Sequence, residues 1–191
     1  MDDHIVPRHR IEDLVRERVD VVPYDPRWPA LYQEVQVKLV RSLPADLITR
    51  IAHIGSTAVP GCSAKPIIDV QVDVTSSQRV RHEVVPIMDD LGYEFIWRPT
   101  MGEQAPFYAW FIKRDPKGQR TQHIHMVEPD RVSEDRLIFR DHLRTHPEEV
   151  KRYEALKSRL SAVHPNDRAA YTRGKTDHIS SIIQQARAQR S

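Results

Sequence analysis

One stretch of the chain joins a glycine–serine turn to an alternating strand that carries carboxylates. Residues 53–56 read His-Ile-Gly-Ser, and after a loop of small residues and prolines, residues 67–74 read Ile-Ile-Asp-Val-Gln-Val-Asp-Val. Because side chains alternate across a strand, we expect Asp69, Gln71 and Asp73 to share one face and the valines the other. We therefore expect a strand with one polar face and one apolar face beside this turn.

The turn and the strand carry residue types that suit a metal-bound triphosphate. Gly55 allows the backbone to approach phosphate oxygens closely, and Ser56 adds a hydroxyl donor to the amides of the turn. Asp69 and Asp73 supply oxygen ligands of the kind that Mg²⁺ prefers. Short motifs of this type also arise by chance. An ordinary turn beside a half-solvated strand is therefore the alternative interpretation.

Composition limits the class of protein. The chain has 191 residues, which suits one domain or one domain with a helical appendage. Its net charge of +2 is too small to indicate nucleic acid or a membrane surface as a partner. Cys62 is the only cysteine, so an intramolecular disulfide is excluded and a reducing cytoplasm is favoured. We find no secretory segment and no membrane-spanning apolar run, and expect a cytoplasmic protein.

The order of elements predicts an α+β fold. Helical spacing over residues 28–42 precedes a strand at 48–54, whose expected hairpin partner is 66–74. A helix over 80–91 follows, capped near Ser76 and interrupted by Pro86. The remaining elements are strands at 93–98, 107–113 and 122–128, and helices beginning at Ser133, at Pro147 and near Asn166.

Three regions follow from this order. Residues 1–20 are an N-terminal extension dominated by charge, interpreted as a frayed helix or a disordered segment. Residues 21–130 form the α/β core, and residues 131–191 form a C-terminal helical segment packed on that core.

Two histidines on the last predicted strand share one face. His123 and His125 alternate with apolar residues, and next to the strand that carries Asp69 they could bind a metal ion. They could instead bind phosphate or act as general acid–base groups. His53 immediately precedes the turn, and we interpret it as a hydrogen-bonded structural residue.

Basic residues near the same strands are candidate phosphate ligands. Lys65 lies in the loop that leads to Asp69 and could neutralise phosphate charge, with a solvated lysine as the alternative. Lys113 and Arg120 flank a predicted hairpin. A hairpin rim is often simply charged, but one or two of these side chains could contact an anionic substrate beside His123.

Several motifs follow one another between about residues 21 and 183. They read PYDPRWPALY, HIGSTAVPG, AKPIIDV, HIHMVE, FRDHLRTHPE, YEALK and YTRGKTDHI. In this order they resemble the GrpB family, which belongs to the nucleotidyltransferase superfamily with a DNA-polymerase-β-like fold. A similar domain follows dephospho-CoA kinase in some bacteria. The resemblance implies a mixed sheet flanked by helices with a C-terminal helical segment.

The resemblance also implies roles for individual residues. It places Gly55, Ser56 and the adjacent Thr57 at the nucleotide phosphates, and Asp69 at the metal as a catalytic carboxylate. The closing YTRGKTDHI motif adds Tyr171 and Lys175, four residues apart on one expected helix face, to the nucleotide cleft.

The sequence departs from the superfamily pattern at two positions. The second carboxylate position is occupied by Gln71, and the strand expected to carry a third carboxylate reads His123-Ile124-His125. Asp73 lies about 7 Å beyond Asp69 along the strand and cannot replace Gln71. The candidate metal residues are Asp69, Gln71, His123 and His125, with His125 also catalytic, and the expected ion is Mg²⁺ or Mn²⁺. Binding by Asp69, His123 and His125 alone would instead favour a borderline metal such as Zn²⁺ or Mn²⁺ over Mg²⁺.

Three functions remain open from the sequence. The first is nucleotidyl transfer from a nucleoside triphosphate (NTP) to an unknown small-molecule or macromolecular acceptor, with a divalent metal. The second is a nucleotide- or phosphate-binding module with a degenerate site, and the third is a hydrolase that uses a His/Asp metal site. A homodimer is expected only from the frequency of dimers among small proteins.

Overall fold

The computed structural model describes residues 13, 14, 16–99 and 107–189, and a five-stranded mixed sheet lies at its centre. The strands follow the spatial order β1-β2-β5-β4-β3. Strands β2 and β5 are parallel, and every other neighbouring pair is antiparallel. The strands are β1 (Ile48–Ile54), β2 (Ile68–Val74), β3 (Tyr93–Pro99), β4 (Phe107–Arg114) and β5 (Arg120–Val127).

Helices flank this sheet, which confirms the α+β class. A single 3₁₀ turn, Ser56–Ala58, follows β1, and a π-helical turn, Val80–Val84, joins two short helices. None of the described helices is both long and apolar enough to cross a bilayer. The helices are α1 (Trp28–Ser42), α2 (Ser77–Arg79), α3 (Val85–Asp90), α4 (Arg131–Thr145), α5 (Pro147–Val163), α6 (Arg168–Arg173) and α7 (Thr176–Ala188).

The predicted hairpin between β1 and β2 is confirmed, and β2 has the two faces that its alternation requires. Val70 and Val72 are fully buried in the main hydrophobic core, which also contains Val35 and Leu39 of α1. The pairing of Ile54 with Asp69 brings the end of β1, and the turn that follows it, beside the carboxylate. The valine face therefore anchors the sheet, and the polar face holds the candidate site.

The polar face of β2 is not half-solvated, so that alternative is wrong. Gln71 and Asp73 are only 1% and 2% exposed. The Gln71 amide donates to Asp73 Oδ1 at 2.9 Å and to the Ser133 carbonyl of α4 at 3.2 Å. Arg50 forms an ion pair with Asp73. Helix α4 covers this face, and the buried polar groups hydrogen-bond to one another, which offsets their loss of water.

The segment between β2 and β3 follows the sequence signals. Ser76 caps α2, its hydroxyl accepting from Arg79 N at 3.2 Å. Pro86 lies in the first turn of α3, where its missing N–H would have had no partner inside the helix. The π-helical turn immediately before it takes up the interruption that proline was expected to cause.

Two predictions for the C-terminal half are wrong in detail. Helix α4 is capped by Asp130, whose carboxylate accepts from Ser133 N at 2.7 Å, so Ser133 is the third helical residue and not the cap. The last helix is two helices, α6 and α7, which separate at Gly174. A Cβ at Gly174 would lie 2.5 Å from Leu160 Cδ2, so this break packs against α5 more closely than a side chain allows. The predicted start of α5 at Pro147 is confirmed.

The prediction for the N-terminal extension falls largely outside the described residues. Within the described part, Val19 N donates to the Pro165 carbonyl at 2.9 Å, which ties the segment to the loop before α6.

Candidate functional site

The glycine–serine turn packs directly on the Asp69 carboxylate. Gly55 has φ 71° and ψ −174°, a region that is essentially restricted to glycine. A Cβ at this position would lie 2.7 Å from Asp69 Oδ2. Gly55 therefore allows both an otherwise strained backbone and the contact that places Ser56 beside the carboxylate.

Asp69, His123 and His125 converge from two adjacent parallel strands. The register pairs Asp69 of β2 directly with His123 of β5. His123 Nδ1 lies 2.9 Å from Asp69 Oδ1, and His125 Nε2 lies 3.8 Å from the same oxygen. Ligand atoms from the three side chains all lie within 4.8 Å of one another. We refer to these three residues as the Asp/His/His cluster.

The environment fixes the protonation state of this cluster. Burial lowers the pKa of His125 to about 4 and also lowers the pKa of His123, although hydrogen bonding to Asp69 opposes both shifts. Burial raises the pKa of Asp69, but hydrogen bonds with His123 and His125 outweigh it and hold the pKa well below its usual range. At neutral pH the carboxylate is ionised and the imidazoles are neutral, which is the state that binds divalent metals.

The donor set fits a divalent metal of borderline character. One carboxylate and two imidazoles suit Zn²⁺, Mn²⁺ or Fe²⁺, whereas Mg²⁺ prefers oxygen ligands. The outer ring nitrogens, His123 Nε2 and His125 Nδ1, are buried and have no hydrogen-bond partner in the described part of the chain. The rings of Trp110 and Tyr108 border the two imidazoles. Among the described residues, aromatic rings therefore border the histidines in place of the carboxylate or carbonyl acceptor that usually binds the outer nitrogen of a metal-binding histidine.

A cavity of about 430 Å³ opens from the Asp/His/His cluster and is bordered by α4, α5, α6 and α7. Four basic side chains line it: Lys65, Arg136, Lys157 and Lys175. Burial lowers the pKa of Lys65 to about 7 and that of Lys175 to about 8, and neighbouring cations add to both shifts. The cavity therefore concentrates cationic groups out of water, an arrangement that favours an anionic ligand.

The ring of Tyr171 lies close to two of these lysines. Lys65 Nζ and Lys175 Nζ lie 5.5 and 4.6 Å from the centre of the Tyr171 ring. Tyr171 belongs to α6, and Lys175 lies at the start of α7. The prediction that Tyr171 and Lys175 share one helix face is therefore wrong, because the chain breaks at Gly174. Both residues nevertheless line the cavity, as the resemblance implied.

Lys157 is a site residue that the sequence analysis missed. It is only 1% exposed, and its ammonium group donates to the Ser63 carbonyl and lies 3.3 Å from Ser56 Oγ. It forms no ion pair with any described carboxylate. A signal was present in the sequence: Lys157 follows Tyr153 by four residues and so lies on the buried stripe of α5.

The other predicted site residues divide into two groups. Ser56 and Thr57 line the cavity, and Thr57 also holds the turn together, because its hydroxyl donates to the Ile67 carbonyl at 3.2 Å. Gln71 lies outside the Asp/His/His cluster, with its amide nitrogen bonded to Asp73 and Ser133 and its Oε1 3.5 Å from Arg136.

Lys113 and Arg120 lie outside the cavity. Lys113 is on the opposite face of the sheet from His123, because it alternates with Ile112, the residue that pairs with His123. Its ammonium group donates to the Leu91 carbonyl at 2.8 Å. Arg120 is buried and forms an ion pair with Glu17. Neither residue is among those that line the cavity at the Asp/His/His cluster.

His53 supports the turn from the valine face and should make stability depend on pH. Its ring stacks on Tyr32, and burial lowers its pKa to about 4. The unfolded chain takes up a proton near pH 6.5 and the folded chain does not. Folding stability should therefore fall between pH 6.5 and 4, with His53 contributing on the order of 3 kcal/mol.

Urea unfolding of wild type and His53→Gln across this pH range tests the expectation. The difference in free energy of unfolding between the two proteins should shrink as the pH falls. His82→Gln, at an exposed position, serves as the control and should follow wild type. A constant difference between wild type and His53→Gln would contradict the assignment.

The similarity of this sequence to known proteins identifies its family. The sequence profile described as GrpB protein matches residues 18–185. The chain belongs to the GrpB family. It is 38% identical over 172 residues to a UPF0157 protein of Pseudomonas aeruginosa, covering 90% of this chain and 69% of that protein. The resemblance drawn from the motifs is thereby confirmed at the level of the family.

Two further comparisons concern a solved structure and a longer protein that this chain matches in part. The crystal structure of conserved protein GrpB from Enterococcus faecalis matches with a TM-score of 0.73 and 31% identity, covering 87% of this chain and 96% of that chain. A dephospho-CoA kinase of Mycolicibacterium paratuberculosis is 34% identical over 93 residues, which are 46% of this chain and 23% of that protein.

Proposed function

We propose that this GrpB-family protein binds a nucleoside triphosphate with a divalent metal ion and transfers the nucleotidyl group to an acceptor. The observation that carries the proposal is the position of the Asp/His/His cluster at one end of a cavity lined by four basic side chains. Metal ligands adjacent to cations that form no ion pair with a described carboxylate match the charge pattern of a metal-bound phosphate chain. The Gly55–Ser56 turn beside Asp69 adds the donors expected at such a chain.

The residues around the cavity take separate roles. Asp69, His123 and His125 hold the metal, which when bound supplies Lewis-acid stabilisation of the phosphoryl oxygens. Lys157 and Ser56 lie 3.3 Å apart and together present an ammonium group and a hydroxyl to one phosphate. Lys65 and Lys175, both close to the Tyr171 ring, neutralise the remaining phosphate charge.

The apolar part of the cavity lining suits the base and ribose. It comes from α4 and α7 and lies beside the basic residues. A cavity with an apolar wall and a few convergent polar groups is the usual form of a small-molecule site. The wall consists of Val132, Phe139, Ile179 and Ile183.

Gln71 favours a second candidate, a nucleotide-binding module without turnover. Its amide is occupied by Asp73 and Ser133, and Arg136 lies at its carbonyl oxygen. The second carboxylate position therefore supplies no anionic ligand, and a cation approaches it instead. Under this candidate the NTP binds with metal, but no pyrophosphate is released when possible acceptors are added.

Calorimetric titration tests the proposal. ATP, GTP, CTP and UTP are titrated into metal-free protein, with and without Mg²⁺, Mn²⁺ and Zn²⁺. We expect metal-dependent binding of at least one NTP, strongest with Mn²⁺ or Zn²⁺, and release of pyrophosphate with the correct acceptor. Absence of NTP binding under every condition would reject both candidates.

Replacing Lys157 with methionine should separate binding from stability. The substitution keeps the approximate length of the side chain and removes a buried charge that has no carboxylate partner among the described residues. We therefore expect the free energy of unfolding to stay equal or to rise by about 1–2 kcal/mol. NTP affinity should fall about tenfold to a hundredfold, the loss expected for a charge-assisted hydrogen bond. Urea unfolding and calorimetry measure the two effects.

Lys113→Met is the matched control for this change. It removes the same charge from the opposite face of the sheet, so NTP affinity should stay at the wild-type value. Unchanged affinity in Lys157→Met would place the phosphates elsewhere.

A further inference from the structure

A second group of cations lies on the other side of Lys65. Arg114, Arg120 and Arg168 border a cavity of about 370 Å³, and Lys65 lines both this cavity and the one at the Asp/His/His cluster. The three arginines come from the end of β4, the start of β5 and the start of α6. We call Arg114, Arg120 and Arg168 the arginine cluster.

One carboxylate from the N-terminal segment lies inside the arginine cluster. Glu17 Oε1 is 2.7 Å from Arg114 Nη2, and Glu17 Oε2 is 2.6 Å from Arg120 Nε and 3.7 Å from Arg168 Nη2. Each carboxylate oxygen therefore faces at least one guanidinium group. This is the geometry with which arginines bind a carboxylate or phosphate ligand.

The positive charge of the arginine cluster exceeds what Glu17 supplies. Glu94 Oε2 lies 3.7 Å from Arg114 Nε, and Asp20, which borders the same cavity, forms an ion pair with Arg18. Arg168 Nε and Nη1 are buried without a hydrogen-bond partner among the described residues. Burial lowers the pKa of Arg120 to about 10, and the charges of Arg168 and Arg114 add to this shift, which Glu17 opposes. Such a group is costly to bury unless a further anion is available.

We propose that the arginine cluster is a second ligand site, for a small molecule that carries a phosphate or carboxylate group, and that Glu17 occupies it as an internal ligand. The two groups share the same chemistry. Both a planar carboxylate and a tetrahedral phosphate carry anionic oxygens that accept paired hydrogen bonds from a guanidinium group. Glu17 belongs to a short segment that is held through its backbone. The Arg120 side chain donates to the Leu14 carbonyl at 2.9 Å, and the Val19 amide donates to the Pro165 carbonyl. Its side chain can therefore leave while the segment stays attached.

The arginine cluster and the Asp/His/His cluster would bind their ligands independently, but their cavities share one lining residue. Lys65 lies between them, so an anion in the arginine cluster would oppose the positive potential that now surrounds this lysine. The inference requires neither metal nor NTP, and it stands whether or not the Asp/His/His cluster transfers nucleotides.

Calorimetric titration of inorganic phosphate and of acetate tests this site. All proteins carry Lys175→Gln, which weakens anion binding at the Asp/His/His cavity. Adding Glu17→Gln removes the internal ligand and should increase affinity for at least one probe tenfold or more. Further substitution of Arg168→Gln should abolish that gain, and Arg168→Lys should restore part of it. A gain with phosphate alone indicates a phosphorylated ligand, and a gain with acetate alone a carboxylated one.

Two outcomes would overturn the proposal. If Glu17→Gln lowers the melting temperature and increases affinity for neither probe, the arginine cluster is a structural ion-pair network. If the gain survives Arg168→Gln in a protein with a native circular-dichroism spectrum, the anion binds outside the cluster. Because NTP titration is carried out separately, failure here is distinguishable from failure of the proposed function.

Discussion

Asp69→Asn should reduce metal-dependent NTP binding at least a hundredfold while leaving the fold intact. The substitution removes the anionic member of the Asp/His/His cluster and keeps its size, so two neutral imidazoles alone remain as metal ligands. Removal even of groups that only support metal ligands costs about 10- to 100-fold in metal affinity, and removal of a ligand itself should cost at least as much. Calorimetry with Mn²⁺ and Zn²⁺, alone and with NTP, measures the effect.

Asp46→Asn provides the matched control for this loss. It makes the same change in charge at an exposed ion pair with Arg79, where the side chain of Asp46 is 71% exposed. Exposed pairs contribute little to stability, so this variant should bind as wild type does. If Asp69→Asn retains wild-type affinity for metal and NTP, the Asp/His/His cluster is not the metal site.

Gly55→Ala should destabilise the protein by about 2–4 kcal/mol, with two contributions of similar size. The backbone region of Gly55 costs a residue with a Cβ about 1–3 kcal/mol. The added methyl group would also lie 2.7 Å from Asp69 Oδ2, so the carboxylate must move. We therefore expect a lower midpoint in urea and weakened metal binding from a single substitution outside the Asp/His/His cluster.

Gly61→Ala separates these two contributions. Gly61 also has positive φ, 77°, but a Cβ there meets no atom within 4 Å. This variant should lose only about 1–2 kcal/mol from backbone strain and should keep wild-type metal affinity. Equal effects of the two substitutions on metal binding would show that the contact between Gly55 and Asp69 does not position the carboxylate.

The sequence best predicted those features of the fold that depend only on the alternation of side chains along one strand. Alternation predicted that Asp69 shares a face of β2 with the other polar residues, and that His123 and His125 share a face of β5. The parallel pairing of the two strands brings the three side chains together. Alternation did not show which face Lys113 occupies relative to His123, because that depends on register between β4 and β5. A shift of one residue in register moves a side chain to the other face.

Helix boundaries and buried charges were harder to predict. Asp130 and Ser133 both fit a helix start, and only the reciprocal hydrogen bonds show that Asp130 is the cap. Lys157 was not among the predicted site residues, because lysine is rarely fully buried and the sequence alone does not show that helix α5 faces a cavity. The contact of Glu17 with the arginine cluster joins residues about a hundred positions apart, beyond the reach of local pattern.

The parallel pairing of β2 and β5 also bears on how the protein is made. Asp69 and His123 are 54 positions apart, so a growing chain that has not yet reached β5 contains the carboxylate but neither imidazole. The hairpin between β1 and β2 can form first, because its strands are close in sequence, whereas the pairing of β2 with β5 must close a much longer loop. A nascent polypeptide still attached to the ribosome at that stage has no assembled metal site, so the chain cannot capture metal through this cluster before its central ladder is complete.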